Sequence, residues 1–160
     1  MQISFADSRP TGDFALVLPA AGKNRIALDS LGSDRAAVDA ALKSQRFEGD
    51  SGGVAELFLP ADGGVRRLLV VGTGDGTSAS ESAEKLGGAL VGKLLISGEA
   101  HAVIDLTGLN YDADATARLA LAASLRAWRY DRYRTKLKDK QKPTLKELTI
   151  VGAPAEAAGL

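Results

Sequence analysis

Four stretches of this sequence hold residue types that can do chemistry. The run Gly72-Thr-Gly-Asp-Gly76 follows an apolar stretch and precedes a segment of helical spacing. Glycines at such a place let backbone N–H groups approach a phosphate at a helix N-terminus. Here the pattern is GxGxG rather than GxGxxG, it lacks the Gly-Lys-Ser/Thr ending of a P-loop, and it sets Asp75 where phosphates would sit. A plain tight turn explains it better.

His101 is the only imidazole, and the chain has no Cys. A metal centre built on one His needs several convergent carboxylates, and Asp105, four residues on, would share its strand face at roughly 13 Å. A surface or strand-edge histidine is the expectation. Ser78, Ser80 and Ser82 suit helix entry rather than a nucleophile elbow. The sequence therefore offers no catalytic, cofactor-binding or metal-binding residue.

The fourth stretch, from Arg126 to Lys142, interleaves Trp128, Tyr130 and Tyr133 with basic side chains. Such a mixture can pair with phosphates and stack on bases. Arg132, Arg134, Lys136 and Lys138 are the candidate nucleic-acid contacts. The competing reading packs the aromatics at the end of a core helix and leaves the lysines to solvate a loop. Charge supports the second reading: residues 126–146 carry nine basic and two acidic groups, whereas residues 1–125 carry 11 and 16, so the body is acidic.

The elements that must position these groups follow from composition and spacing. The chain has 160 residues, 45% of them hydrophobic, with 20 basic and 20 acidic side chains, which suits one globular domain and excludes a disordered or collagen-like chain. Without cysteine there is no disulfide framework, thiol nucleophile or redox pair, which fits a reducing, cytoplasmic address. The start, MQISFADSRP, lacks the apolar core of a secretory signal, and no apolar stretch approaches the roughly 20 residues of a membrane span.

Phe14-Ala-Leu-Val-Leu18, closed by Pro19, predicts a buried strand with Ile3-Ser-Phe5 as its partner. Ser33 or Asp34 caps a helix whose Ala37, Val38, Ala41 and Leu42 recur at helical spacing. Val54–Leu59 and Val65–Val71 flank the turn Pro60–Gly64 as a hairpin. Ser78 and Glu81 have capping-box spacing for a helix running to about Ile96, with Ala83, Leu86, Leu90 and Leu94 as its stripe. Its interior glycines, Gly87, Gly88 and Gly92, each cost about 1 kcal/mol relative to alanine and imply close backbone packing. Ala102–Leu106 reads as a strand, Asp112 or Asp114 opens a helix to about Tyr130 with Leu121, Leu125 and Trp128 on one face, and Leu148–Val151 is a last strand. Strands interleaved with three helices predict a layered α/β sandwich with a mixed sheet.

Three stretches, in order and suitably separated, resemble the N-terminal domain of the leucyl aminopeptidase (cytosol aminopeptidase) family. They are Phe47-Glu-Gly49 with Gly53; Arg67-Leu-Leu-Val-Val-Gly-Thr-Gly74 leading to Glu84-Lys-Leu-Gly-Gly-Ala89; and Ala127-Trp-Arg-Tyr-Asp-Arg-Tyr-Arg-Thr-Lys136. The resemblance implies a three-layer α/β/α sandwich with a mixed sheet, macro-domain-like. It divides the chain into a non-catalytic N-terminal domain, residues 1–152, and the start of an interdomain linker helix, residues 153–160. The family's catalytic C-terminal domain holds two divalent metals, Mn or Zn, and its signature Asn-Thr-Asp-Ala-Glu-Gly-Arg occurs nowhere here. The chain alone is thus expected to be inactive, with its own catalytic domain and a homo-hexamer as partners. The alternatives are a DNA-binding module using residues 126–146, since some relatives bind DNA, and a macro-like nucleotide or ADP-ribose binder.

Overall fold

The computed structural model describes residues 1–10, 12–20, 34–48, 53–61, 64–73, 79–106, 111–133 and 143–152. Along the chain run β1 (Gln2–Ala6), β2 (Ala15–Ala20), α1 (Arg35–Ser44), β3 (Val54–Ala61), β4 (Gly64–Gly72), α2 (Ala79–Leu94), β5 (His101–Asp105), α3 (Ala113–Tyr133) and β6 (Glu147–Val151). The strands form a six-stranded sheet in the order β1-β6-β5-β2-β4-β3. Among the described residues, only the β3–β4 hairpin is antiparallel. This is the mixed-sheet α/β sandwich that the sequence predicts.

Parallel strands buried on both faces read as continuous apolar runs, and β2 is buried along its whole length. Alternate residues then serve two cores. Ala15, Val17, Leu69, Val71, Ala102 and Ile104 pack under α2 and α3, while Leu16, Leu18, Leu68, Val70 and Val103 join Val38 and Leu42 of α1 on the opposite side. Pro19 lies inside β2 rather than closing it, paired with Val71 of β4. Its missing N–H costs no ladder bond to β5, because that register ends at Val17 and Ile104.

Ile3-Ser-Phe5 is a strand, but its expected pairing is wrong. β1 runs parallel to β6 at the sheet edge, from Gln2 beside Glu147 to Ala6 beside Val151, with β6 and β5 standing between it and β2. The hairpin pairing reaches further than expected, to Ala61 opposite Gly64. Pro60 is tolerated because β3 is the other edge.

Asp34 stands at the N-cap of α1 without a side-chain cap bond; Ser33 lies outside the described residues. The helix closes on Arg46, whose φ of 56° is left-handed. Phe47 N–H donates to the Leu42 carbonyl at 2.9 Å and Arg46 N–H to that of Lys43 at 3.1 Å, the two bonds of a Schellman end. That closure turns Phe47 back toward the α1-side core.

Candidate functional site

The layer of α2 and α3 brings charge, apolar surface and a cavity together. The two helices run in the same direction: Ser82 meets Tyr111 at one end and Gly92 lies beside Arg126 at the other. Asp112 is the cap of α3, its Oδ1 accepting the Ala115 N–H at 2.8 Å. Asp114 instead pairs with Arg118 at 2.9 Å, one turn on.

Close approach of the helices depends on Gly87. A Cβ there would stand 2.3 Å from the Leu119 carbonyl oxygen, so only glycine fits without moving α3. The expectation of close packing holds at Gly87, and at Gly92 a Cβ would meet the Arg126 guanidinium at 3.0 Å. It fails at Gly88, where a Cβ would enter open space.

Tight packing decides which face of α3 turns inward. Ala115, Leu119, Ala123 and Ala127 are buried against α2 and the sheet. Leu121, Leu125 and Trp128 do share a face, but it is the outer one, and they are 59%, 43% and 55% exposed. Beside them lies a groove of about 400 Å³ lined by Glu84, Gly88, Arg118, Leu121, Leu125 and Arg126, among others. Hydrogen bonds to Asp114 and then to Glu84 hold the Arg118 guanidinium above its ordinary pKa. Ser82, in the first turn of α2 as expected at helix entry, is buried and bonded to the Tyr111 hydroxyl. Burial raises the Tyr111 pKa, partly opposed by that bond.

A second cluster lies across β5, β6 and β1. His101 Nε2 is 2.8 Å from Thr149 Oγ1 and 3.9 Å from Glu147 Oε2. Ser4 Oγ donates to Glu147 Oε1 at 3.1 Å and lies 3.1 Å from the Thr149 hydroxyl. In a hydrolytic relay the hydroxyl and the carboxylate use opposite ring nitrogens, whereas here both approach Nε2. The arrangement cross-links neighbouring strands. His101 heads β5 as expected, and Asp105, at the other end of that strand, pairs with Arg9 at 2.8 Å.

Among the predicted site residues, Arg132 belongs to the last turn of α3, and Arg134, Lys136 and Lys138 lie outside the described residues. Gly74, Asp75, Gly76 and Ser78 lie outside them too. Gly72 and Thr73 end β4 with bonds from their N–H groups to the carbonyls of Gly53 and Ala20. The end of α1 and the start of β3 bring Phe47 and Glu48 beside Gly53 around a hollow of about 230 Å³, which gathers the described residues of the first family-like stretch. The residues that sequence reading missed are Glu84 and Arg118 in the groove and Ser4, Glu147 and Thr149 on the strands. A signal existed for the first pair: Glu84 and Arg118 lie on the outer faces of helices whose inner faces are marked by glycine and alanine.

Residues 17–137 match the family model for the cytosol aminopeptidase family, N-terminal domain. The chain belongs to that family. A probable cytosol aminopeptidase of Rhizobium etli is 31% identical over 160 residues, spanning 99% of this chain and 32% of that relative. Another, of Afipia carboxidovorans, is 35% identical over 76% of this chain and 25% of its own length. Among solved structures, a tomato leucine aminopeptidase mutant shares 21% identity and superposes with a TM-score of 0.77, covering 99% of this chain and 34% of that one. This likeness shows the fold. The chain thus spans a quarter to a third of the length of these family members.

The two divalent metals implied for such enzymes can be tested against the side chains present. Among the described residues, no three of His, Cys, Asp and Glu stand where they could hold a metal ion. His101 and Glu147 gather hydroxyls rather than further carboxylates. These residues do not fit a two-metal centre, and no reaction step is assigned to them. No helix among the described residues is long and apolar enough to cross a membrane.

Proposed function

We propose that this chain is the non-catalytic N-terminal domain of a metal-dependent leucyl aminopeptidase, a cytoplasmic enzyme that releases N-terminal amino acids from peptides. Residues 1–152 form the domain and residues 153–160 begin the helix to the catalytic portion. The observation that carries this reading is the partial span: the family match runs through residues 17–137, yet the chain accounts for only 32% of the Rhizobium relative. The remaining length of such relatives is room for a catalytic domain with Mn or Zn.

In the parent enzyme the domain contributes assembly and shapes access to the catalytic chamber, within a hexamer. Its rigid sheet, with two helices locked together at Gly87, is suited to holding a surface in place. Reading the gene beyond the codon for Leu160 tests the proposal. An open frame continuing into Asn-Thr-Asp-Ala-Glu-Gly-Arg is the expected result; a stop codon directly after Leu160 contradicts it.

A further inference from the structure

Ser4, Thr149, Glu147 and His101 stand on three adjacent strands, on the sheet face turned away from α2 and α3. The register sets Ser4 of β1 beside Thr149 of β6, and Glu147 of β6 beside His101 of β5. Their hydrogen bonds can run in one direction only. A carboxylate accepts and does not donate, so the Ser4 hydroxyl uses its single proton on Glu147 Oε1 at 3.1 Å. The 3.1 Å contact between the two hydroxyls then needs the proton of Thr149. Thr149 has none left for the ring, so at 2.8 Å the proton between them belongs to His101 Nε2. Glu147 Oε2, 3.9 Å from Nε2, is beyond hydrogen-bond reach and does not compete. Thr149 is buried, which makes an unmade bond at its hydroxyl costly.

We infer that this one-way chain, from His101 through Thr149 and Ser4 to Glu147, latches the N-terminal strand β1 onto the sheet and holds the imidazole with its proton on Nε2. β1 has little else to keep it docked. It is an edge strand whose neighbour in the sheet is β6, none of its five residues is buried, and Phe5 is exposed. Opening β1 uncovers the edge of β6, whose Leu148 and Ile150 belong to the core, and a bare edge is a template for pairing with another chain. The hydrogen-bond chain is the closure that keeps that edge covered. It works whether or not the domain serves an aminopeptidase.

Nitrogen-15 NMR of the 160-residue chain tests the latch, since its single histidine gives one pair of ring signals. At about pH 9, above the ordinary imidazole range, the Nδ1–H form should stay below about a tenth of the ring population. Ser4→Ala should raise it several-fold, because Thr149 becomes free to donate to the ring. Ser4 bonds to Glu147 and Thr149 rather than to the imidazole, so a tautomer change on its removal reports the chain and not a lost ring contact. In the same variant the amides of Gln2–Ala6 should exchange with solvent deuterium about fivefold faster, as expected for one lost net hydrogen bond, while those of β2 stay near their parent values. A parent ring protonated mainly at Nδ1 overturns the proposal. So does a Ser4→Ala chain in which either the tautomer ratio or the β1 exchange is unchanged.

Discussion

The two faces of α3 are both apolar, yet they meet different surroundings. The inner face is built from Ala115, Ala123 and Ala127 around a single large side chain, Leu119, and is buried. The outer face bears the bulkier Leu121, Leu125 and Trp128 and is open. Side-chain size, more than hydrophobicity, decides which face turns inward. With Gly87 bringing α2 within van der Waals reach of the α3 backbone, there is room between the helices for alanines and little else. The bulky stripe stays exposed on the outside of the helix layer.

Substitutions that reverse this contrast should give unequal effects. Leu119→Ala, which empties a fully buried site, should cost about 2–5 kcal/mol of unfolding free energy. Leu121→Ala on the outer face should stay within about 0.5 kcal/mol, both being measured by urea denaturation. Equal losses would mean that the outer stripe is part of the core.

Neighbouring glycines sharpen the comparison. Gly87→Ala forces the α3 backbone to move and should cost about 1–3 kcal/mol. Gly88→Ala meets nothing and should add up to about 1 kcal/mol through helix propensity alone. Thermal melts of the two variants should therefore shift in opposite directions.

At the start of α3, Asp112→Ala removes the cap and should cost about 1 kcal/mol. Asp114→Ala breaks an exposed ion pair with Arg118 and should cost less than Asp112→Ala, and that smaller cost fades as added salt screens the pair.

The smallest effect belongs to Tyr111. Its folded-state pKa lies above the unfolded value of 10.0 because of burial, so the unfolded chain loses that proton first as pH rises. The stability it contributes is complete below pH 10.0 and is lost as pH climbs through the folded-state value. Absorbance titration of the phenolate should show one tyrosine titrating above its unfolded position, and Tyr111→Phe should remove it.

The apolar runs of β2 and β4 and the stripe Ala83, Leu86, Leu90 and Leu94 were legible because each is a local pattern with one buried solution. The cap at Asp112 was one of two local candidates, and geometry chose between them. The pairing of β1 was not legible, because a parallel partner at the far end of the chain leaves no turn or spacing beside it. The orientation of α3 was hidden for a related reason. Its outer stripe looks like core until the glycine of another helix is known to lie against its alanines. The Ser4, His101, Glu147 and Thr149 cluster comes from three strands that only the fold brings together.

Hydrolysis of leucine p-nitroanilide by the purified 160-residue chain, with manganese or zinc added, tests most directly whether this domain is separate from the chemistry of its family. The expected rate is that of the buffer and metal alone. Metal-dependent turnover that copurifies with the chain would contradict the account.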